Sequence, residues 1–181
     1  MVHLIKYKNS EEIELLRLNG QLVGRTLAEV GKNIKPGVKT ITLDKIAEEF
    51  IRDNGAVPGF KGYGGYPNTL CVSVNDEVVH GIPGNRELKE GDIVSIDCGT
   101  ILHGYYGDSA YTFAVGNVSE EKHLLMQRTK ESLFKGIEMA VVGKRVGDIG
   151  YAIQHYVEGF NYSCLLYTSD AADDMQCVDL G

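Results

Sequence analysis

The chain has no tryptophan and only four prolines in 181 residues. No run of 18 apolar residues occurs, so no membrane-spanning helix is expected. Its first eight residues lack the apolar stretch of a secretory signal, which makes a cytoplasmic location the expectation. The four cysteines, at 71, 98, 164 and 177, include no C-x-x-C pair and no zinc-ribbon spacing, and they read as free thiols. Basic residues stop at Arg145: all 18 lysines and arginines precede position 146, together with 19 of the 25 acids. The body is therefore near neutral and the whole acidic excess lies in 146–181, so no basic face is offered to nucleic acid and no direct nucleic-acid binding is expected.

What is abundant is apolar surface and glycine. Hydrophobic residues make up 43%, enough for a sizeable core, and 22 glycines point to tight turns and close backbone approaches. Ser10 followed by Glu11, Glu12 and Glu14 predicts a helix start, with Ile13, Leu16, Val23, Leu27 and Val30 as its inward stripe. Lys35-Pro36-Gly37 separates it from a second helix opened by Thr42, with Leu43, Ile46, Ala47, Phe50 and Ile51 on one side and Asn54-Gly55 at its end. Residues 59–68 read as a loop, because a proline and four glycines cannot hold a ladder.

The period then changes to two. Residues 70–74 and 78–80 around Asn75-Asp76-Glu77 predict a hairpin, and 93–98 with 105–115 predict a second. A third helix is expected after Ser119, with Leu124, Leu125, Thr129, Leu133 and Ile137 inward, and a fourth over 146–160. Helices packed on an antiparallel sheet make an α+β domain. The stretch 164–181 has no clean period and begins abruptly; it reads as a translated adapter-like junction, with an acidic surface tail as the alternative. The domain division expected is 1–163 as one unit of a larger fold and 164–181 as a foreign-looking acidic tail.

Asp97 lies in a strand whose two sides are both largely apolar, so its carboxylate is expected in an enclosed site where an ionised group needs a partner. With the second hairpin centred between Leu102 and His103, Asp97 falls directly opposite Asp108, and like charges so placed destabilise. A shared proton, a basic side chain or a divalent cation would each resolve the conflict. Spacing alone leaves the three open. His80 ends the segment 78–80 and reads either as a hydrogen-bonding strand end or as a group at the rim of a site. The glycine–tyrosine loop lacks the Gly-Lys-Ser or Gly-Lys-Thr of a phosphate loop.

Four segments together carry a resemblance: Gly62-Tyr63-Gly64-Gly65-Tyr66-Pro67, Ser73-Val74-Asn75-Asp76-Glu77-Val78-Val79-His80-Gly81-Ile82-Pro83, Glu90-Gly91-Asp92-Ile93-Val94-Ser95-Ile96-Asp97 and Gly104-Tyr105-Tyr106-Gly107-Asp108-Ser109-Ala110. In this order, from about residue 8 to Ser163, the sequence resembles type I methionine aminopeptidase. The resemblance implies the two-halved pita-bread α+β fold, a curved antiparallel sheet covered by helices, with the second half incomplete here. It implies two divalent metal ions (cobalt, manganese, iron or zinc), one held by Asp97 and both bridged by Asp108. It implies that His80 contacts substrate near the scissile amide, and that Phe60, Tyr63, Tyr66 and Cys71 line a methionine pocket. The activity implied is metal-assisted removal of the initiator methionine. The partner would be the N-terminal methionine of nascent polypeptides, at the ribosome, and the complete protein would be a monomer off the membrane. The family's other three metal ligands and its second substrate histidine fall beyond the point where this chain leaves the pattern, so no complete catalytic set is assigned and the 181 residues are expected to be inactive by themselves. Tyr111 stands where many members have arginine. The competing readings are a non-catalytic peptide- or ribosome-binding relative and a proline-specific peptidase of the same fold.

Overall fold

The computed structural model describes residues 7–163. The acidic stretch 164–181, with Cys164 and Cys177, lies outside the described residues. These form two compact units that divide after Asn117.

The first unit opens with helix α1 (Ser10–Gly31), whose cap is Asn9 rather than Ser10. The Asn9 side chain accepts from the Glu12 N–H while Glu12 reaches back to the Asn9 N–H, a reciprocal capping box. Leu22, Val23, Leu27 and Val30 are its buried apolar residues, whereas Ile13 is 54% exposed and lies off the stripe. Helix α2 (Thr40–Asp53) starts two residues before Thr42 because its N-terminus is tied from outside. Thr40 N–H donates to the Arg86 carbonyl, Ile41 N–H to the Gly84 carbonyl, and Thr40 Oγ1 exchanges bonds with Gly84. These contacts also fix the loop that follows His80.

Four strands make one antiparallel sheet: β1 (Val57–Pro58), β2 (Leu70–Val74), β3 (Ile93–Leu102) and β4 (Tyr105–Ala114). β3 is central. β4 pairs with it from Ile93 to Leu102, while β2 and β1 pair with successive stretches of β3, at 94–98 and 100–101. Because side chains alternate along a strand, Val94, Ile96 and Cys98 face one way with Leu70, Val72 and Val74 of β2. Those residues form one core with Leu22, Val23, Leu27 and Val30 of α1 and Leu43, Ala47 and Ile51 of α2. Ile93, Ser95, Asp97 and Gly99 face the other way.

The expected hairpin of 70–74 with 78–80 does not form; no strand includes Val78, Val79 or His80, and Val78 is 65% exposed. Asn75 diverts the chain. It adopts φ +57, its N–H donates to the Ile93 carbonyl and its Oδ1 accepts from the Ile93 N–H, so β2 is captured by β3. The Gly81 segment then runs beside β2, where Val72 N–H donates to the Gly81 carbonyl at 2.8 Å.

Asp44 joins α2 to the entry of β2. It is buried, accepts from the Thr69 and Leu70 N–H groups at 2.9 and 2.8 Å through Oδ1, and from Asn68 Nδ2 at 2.9 Å through Oδ2. Beside it, the buried Thr69 Oγ1 has no hydrogen-bond partner. Thr69→Val, which removes that hydroxyl at nearly constant volume, is expected to stabilise the chain by about 1 kcal/mol. Urea unfolding checks this; a loss of stability would show that the hydroxyl is satisfied in solution.

The second unit is a pair of helices, α3 (Glu120–Met139), capped by Ser119, and α4 (Val146–Glu158). Leu124, Leu125 and Ile137 are exposed, not inward; the buried positions of α3 are Ser132 and Gly136. The small residue allows a close approach, since a β-carbon on Gly136 would meet Ile153 of α4 at 2.9 Å. Glu131 of α3 bonds Gln127 and Arg128 and accepts from the Tyr156 hydroxyl of α4, while Arg128 stacks on Phe160 at 4.1 Å.

These donors, the Tyr156 hydroxyl first, then Gln127 and Arg128, hold the Glu131 carboxyl down to about 2 from an ordinary 4.5. A group depressed in the folded state stabilises above its unfolded pKa and loses that contribution as pH falls through the folded one. Wild type should therefore lose stability relative to Glu131→Gln between about pH 4.5 and 2. Parallel thermal unfolding of the two chains across that window checks it; parallel curves would mean the cluster is screened away.

Candidate metal centre

The β3–β4 connection sets the site. His103 and Gly104 have φ +53 and +79, so they form a two-residue turn of the kind that needs positive φ at both central positions. Leu102 cannot supply that geometry, and the hairpin is centred between His103 and Gly104. Asp97 consequently pairs with Ala110, and Asp108 with Gly99. The two aspartates are diagonal, not directly opposed. A register displaced by two residues preserves the face, so both still project from the side of the sheet away from α1 and α2.

The two side chains interact directly. Asp108 is accessible to solvent along one side, yet the surrounding protein desolvates its carboxyl enough to raise its pKa above the ordinary aspartate value, with the interaction with Asp97 pulling the other way. Asp97 is half-buried, and its own face of β3 mixes Ser95 and Gly99 with Ile93 and Ile101, while the opposite face supplies the core residues Val94, Ile96 and Cys98. Ser95 Oγ and Thr112 Oγ1 meet at 2.7 Å one pair away, extending a polar strip beside the carboxylates.

The aromatic loop reaches this face through β1. Gly59 N–H donates to the Gly99 carbonyl at 2.7 Å, and the next residue, Phe60, lies over Gly99 so closely that a β-carbon there would meet its ring at 2.5–3.0 Å. Gly99, having no side chain, leaves the room in which the ring settles next to Asp108. Cys71 of β2 pairs with Asp97 from the other side and is buried. The Tyr66 hydroxyl donates toward the Leu70 and Gly81 carbonyls at 3.0 and 3.2 Å. Its pKa is raised, by burial first and then by its hydrogen bond with Cys71 and the nearby carboxylates of Asp44 and Asp97.

Phe60, Tyr66, Cys71, Asp97 and Asp108 therefore share one neighbourhood. Tyr63 is 68% exposed on the short 3-10 turn Tyr63–Gly65. His80 is exposed at the rim with φ +57, next to Gly81, where a β-carbon would overlap the Val72 carbonyl. Tyr111 pairs with Ile96 and packs against Phe113 at 4.8 Å on the helix side, away from the carboxylates. Gly99 and Asp44 escape sequence reasoning about the site. A glycine two residues after a strand aspartate is a weak signal for a ring seat, and Asp44 looks like any exposed helix carboxylate.

Two adjacent carboxylates offer hard oxygen donors of the kind divalent cations take. Among the described residues no cluster of three or more His, Cys, Asp or Glu side chains is assembled. The pair fits a divalent ion as part of a larger ligand set.

A sheet backed by helices on one face, with an aspartate pair on the other, is the pita-bread α+β architecture of metal-dependent peptidases. The chain belongs to metallopeptidase family M24, whose sequence pattern matches residues 14–172 and so runs past Ser163. Membership implies divalent metal ions. The chain is 55% identical over 160 residues to a methionine aminopeptidase of Clostridium acetobutylicum, covering 88% of this chain and 64% of that protein. The crystal structure of methionine aminopeptidase from Rickettsia prowazekii superposes with a TM-score of 0.87 at 41% identity, again over 88% and 64%. Prolidase from Pyrococcus furiosus superposes with a TM-score of 0.77 at 20% identity over 86% of this chain and 44% of that one, a likeness of fold alone. The chain spans about 64% of the length of the methionine aminopeptidases it matches. No helix among the described residues is long and apolar enough to cross a membrane.

Proposed function

We propose that these residues form the N-terminal part of a single metallopeptidase domain that removes the initiator methionine from nascent chains in the cytoplasm, as a monomer when complete. The observation that carries this is the Asp97–Asp108 pair, diagonal neighbours on the sheet face away from α1 and α2, seated beside Phe60 and Cys71. Asp97 and Asp108 would hold divalent ions, two in the complete domain. When bound, such ions supply the Lewis acidity that activates an amide for hydrolysis near neutral pH.

The chain's own residues do the rest. Phe60, Cys71 and the ring of Tyr66 present apolar and sulfur surface beside the carboxylates, which suits a thioether side chain. Tyr63, on the exposed turn, would line the same pocket. His80, at the rim, would contact the substrate near the scissile bond. The Tyr66 hydroxyl and the Ser73 hydroxyl hold the Gly81 backbone that carries His80.

The test joins residues 1–163 to the remaining part of the Clostridium relative and offers the product, with manganese, Met-Ala-Ser and an X-Pro dipeptide. Release of methionine from the first and no cleavage of the second is the expected result. Cleavage only of the dipeptide would favour the proline-specific reading, and neither, in a folded and metal-loaded protein, the non-catalytic one. The 181-residue polypeptide assayed beside it is expected to release no methionine, because two carboxylates are too few ligands.

A further inference from the structure

Asn19 is fully buried in the middle of the α1 face that otherwise presents Leu22, Val23, Leu27 and Val30 to the sheet. Its side-chain amide bonds the β3–β4 hairpin with both donor hydrogens and with its oxygen. Nδ2 donates to the Thr100 carbonyl at 3.2 Å and to the Tyr105 carbonyl at 2.5 Å, and Oδ1 accepts from Thr100 Oγ1 at 2.5 Å. Thr100 is on β3 and Tyr105 on β4, so one side chain ties both strands. Thr100 pairs with Gly107, and the neighbouring pair is Gly99 with Asp108. At Gly107 a β-carbon would lie 3.0 Å from the Asn19 carbonyl carbon, so the helix backbone rests on the hairpin at the residue before Asp108.

A buried amide in an apolar stripe gives up solvation that leucine would not, and it regains it in one geometry only. Resting on the reading of the aspartates as metal ligands, we infer that Asn19 and Thr100 are positioning residues: their clamp on the back of the hairpin fixes the diagonal spacing of Asp97 and Asp108 and so sets the pair's affinity for a divalent cation. The coupling is short. The Thr100–Gly107 pair adjoins the Gly99–Asp108 pair in the ladder and the Asp97–Ala110 pair follows two further on, with clamp and carboxylates on opposite faces of the same two strands, and ligand geometry must hold to within about 0.5 Å for a site to work.

The experiment titrates manganese(II) into the full 181-residue chain, labelled with nitrogen-15, and follows paramagnetic broadening of the Asp97, Gly99 and Asp108 amide signals. This reads weak binding without catalysis. Wild type should broaden saturably at those signals, and Asp97→Asn with Asp108→Asn should abolish the effect. Asn19→Leu with Thr100→Val, which removes both polar partners, should raise the midpoint about tenfold at a temperature where its spectrum remains dispersed, whereas Thr100→Ser, which keeps the hydroxyl, should leave it unchanged. A folded double variant with the wild-type midpoint overturns the clamp while leaving the metal reading intact. Should the double variant not fold, Thr100→Val alone carries the test: a rise of about threefold supports the clamp, and an unchanged midpoint overturns it. If wild type shows no saturable broadening at 97 and 108, the same titration of the chain completed after Ser163 decides: an absence of broadening there sinks the metal reading and the clamp with it, and broadening there moves the variant comparison to that chain.

Discussion

Replacing Asp108 with alanine in the chain completed after Ser163 is expected to lower methionine release by more than about 100-fold, and Asp97→Ala to do the same. Both side chains project from one face of a hairpin whose turn, His103–Gly104, fixes their register. Neither is needed for the core, which lies on the opposite face. Loss of activity should therefore come without loss of fold, and thermal unfolding of each variant should stay close to wild type. Retention of activity in either variant would detach the reaction from this pair. Asp108→Asn separates charge from shape: it keeps the contact with Asp97 but offers a weaker ligand, so activity should fall while the fold holds.

The largest expected effect on stability lies elsewhere. Asp44→Ala should destabilise the first unit by about 3–5 kcal/mol, because it strands the buried N–H groups of Thr69 and Leu70 and frees Asn68. That is a large part of the total for a domain of this size. Asp44→Asn retains an acceptor for the two backbone N–H groups and should cost less. Urea unfolding of the three chains distinguishes the account from one in which Asp44 is an ordinary helix carboxylate, where all three midpoints would coincide. The same change should lower methionine release in the completed chain, since residues 68–70 lead from the tyrosine loop into Cys71.

Much of this was legible in the sequence because the signals were local. The carboxylate face survived an error in register: centring the turn on Leu102–His103 displaced the pairing by two, and two is the period of a strand. The turn itself obeys a rule that selects His103–Gly104 once positive φ is required at both positions. The helix starts were off by one or two residues, because Asn9 and the Gly84–Arg86 loop, not Ser10 and Thr42, satisfy the free N–H groups. The hairpin expected at 70–80 failed for a different reason. Val78 and Val79 have strand-forming side chains, but the Asn75 backbone and side chain had already delivered β2 to β3, which lies 18 residues further on.

Long-range polar contacts were not legible. Asn19 sits in phase with Leu16, Leu22 and Val23, and a polar residue in that phase is the signal that a buried partner exists; which partner, 81 residues away, only the fold reveals. Gly99 reads as a strand weakness until Phe60 is found lying on it. The inward stripe expected of α3 differs from the buried one, because the buried positions are Ser132 and Gly136, small residues that hydrophobic periodicity overlooks.

Asp97 and Asp108 are expected to face one another across a cation. Anomalous scattering from crystals of the completed chain grown with manganese addresses this directly. The account predicts a peak within coordination distance, about 2.0–2.6 Å, of oxygens from both carboxylates. Crystals in which manganese binds elsewhere, while the two aspartates keep their mutual contact, would contradict it.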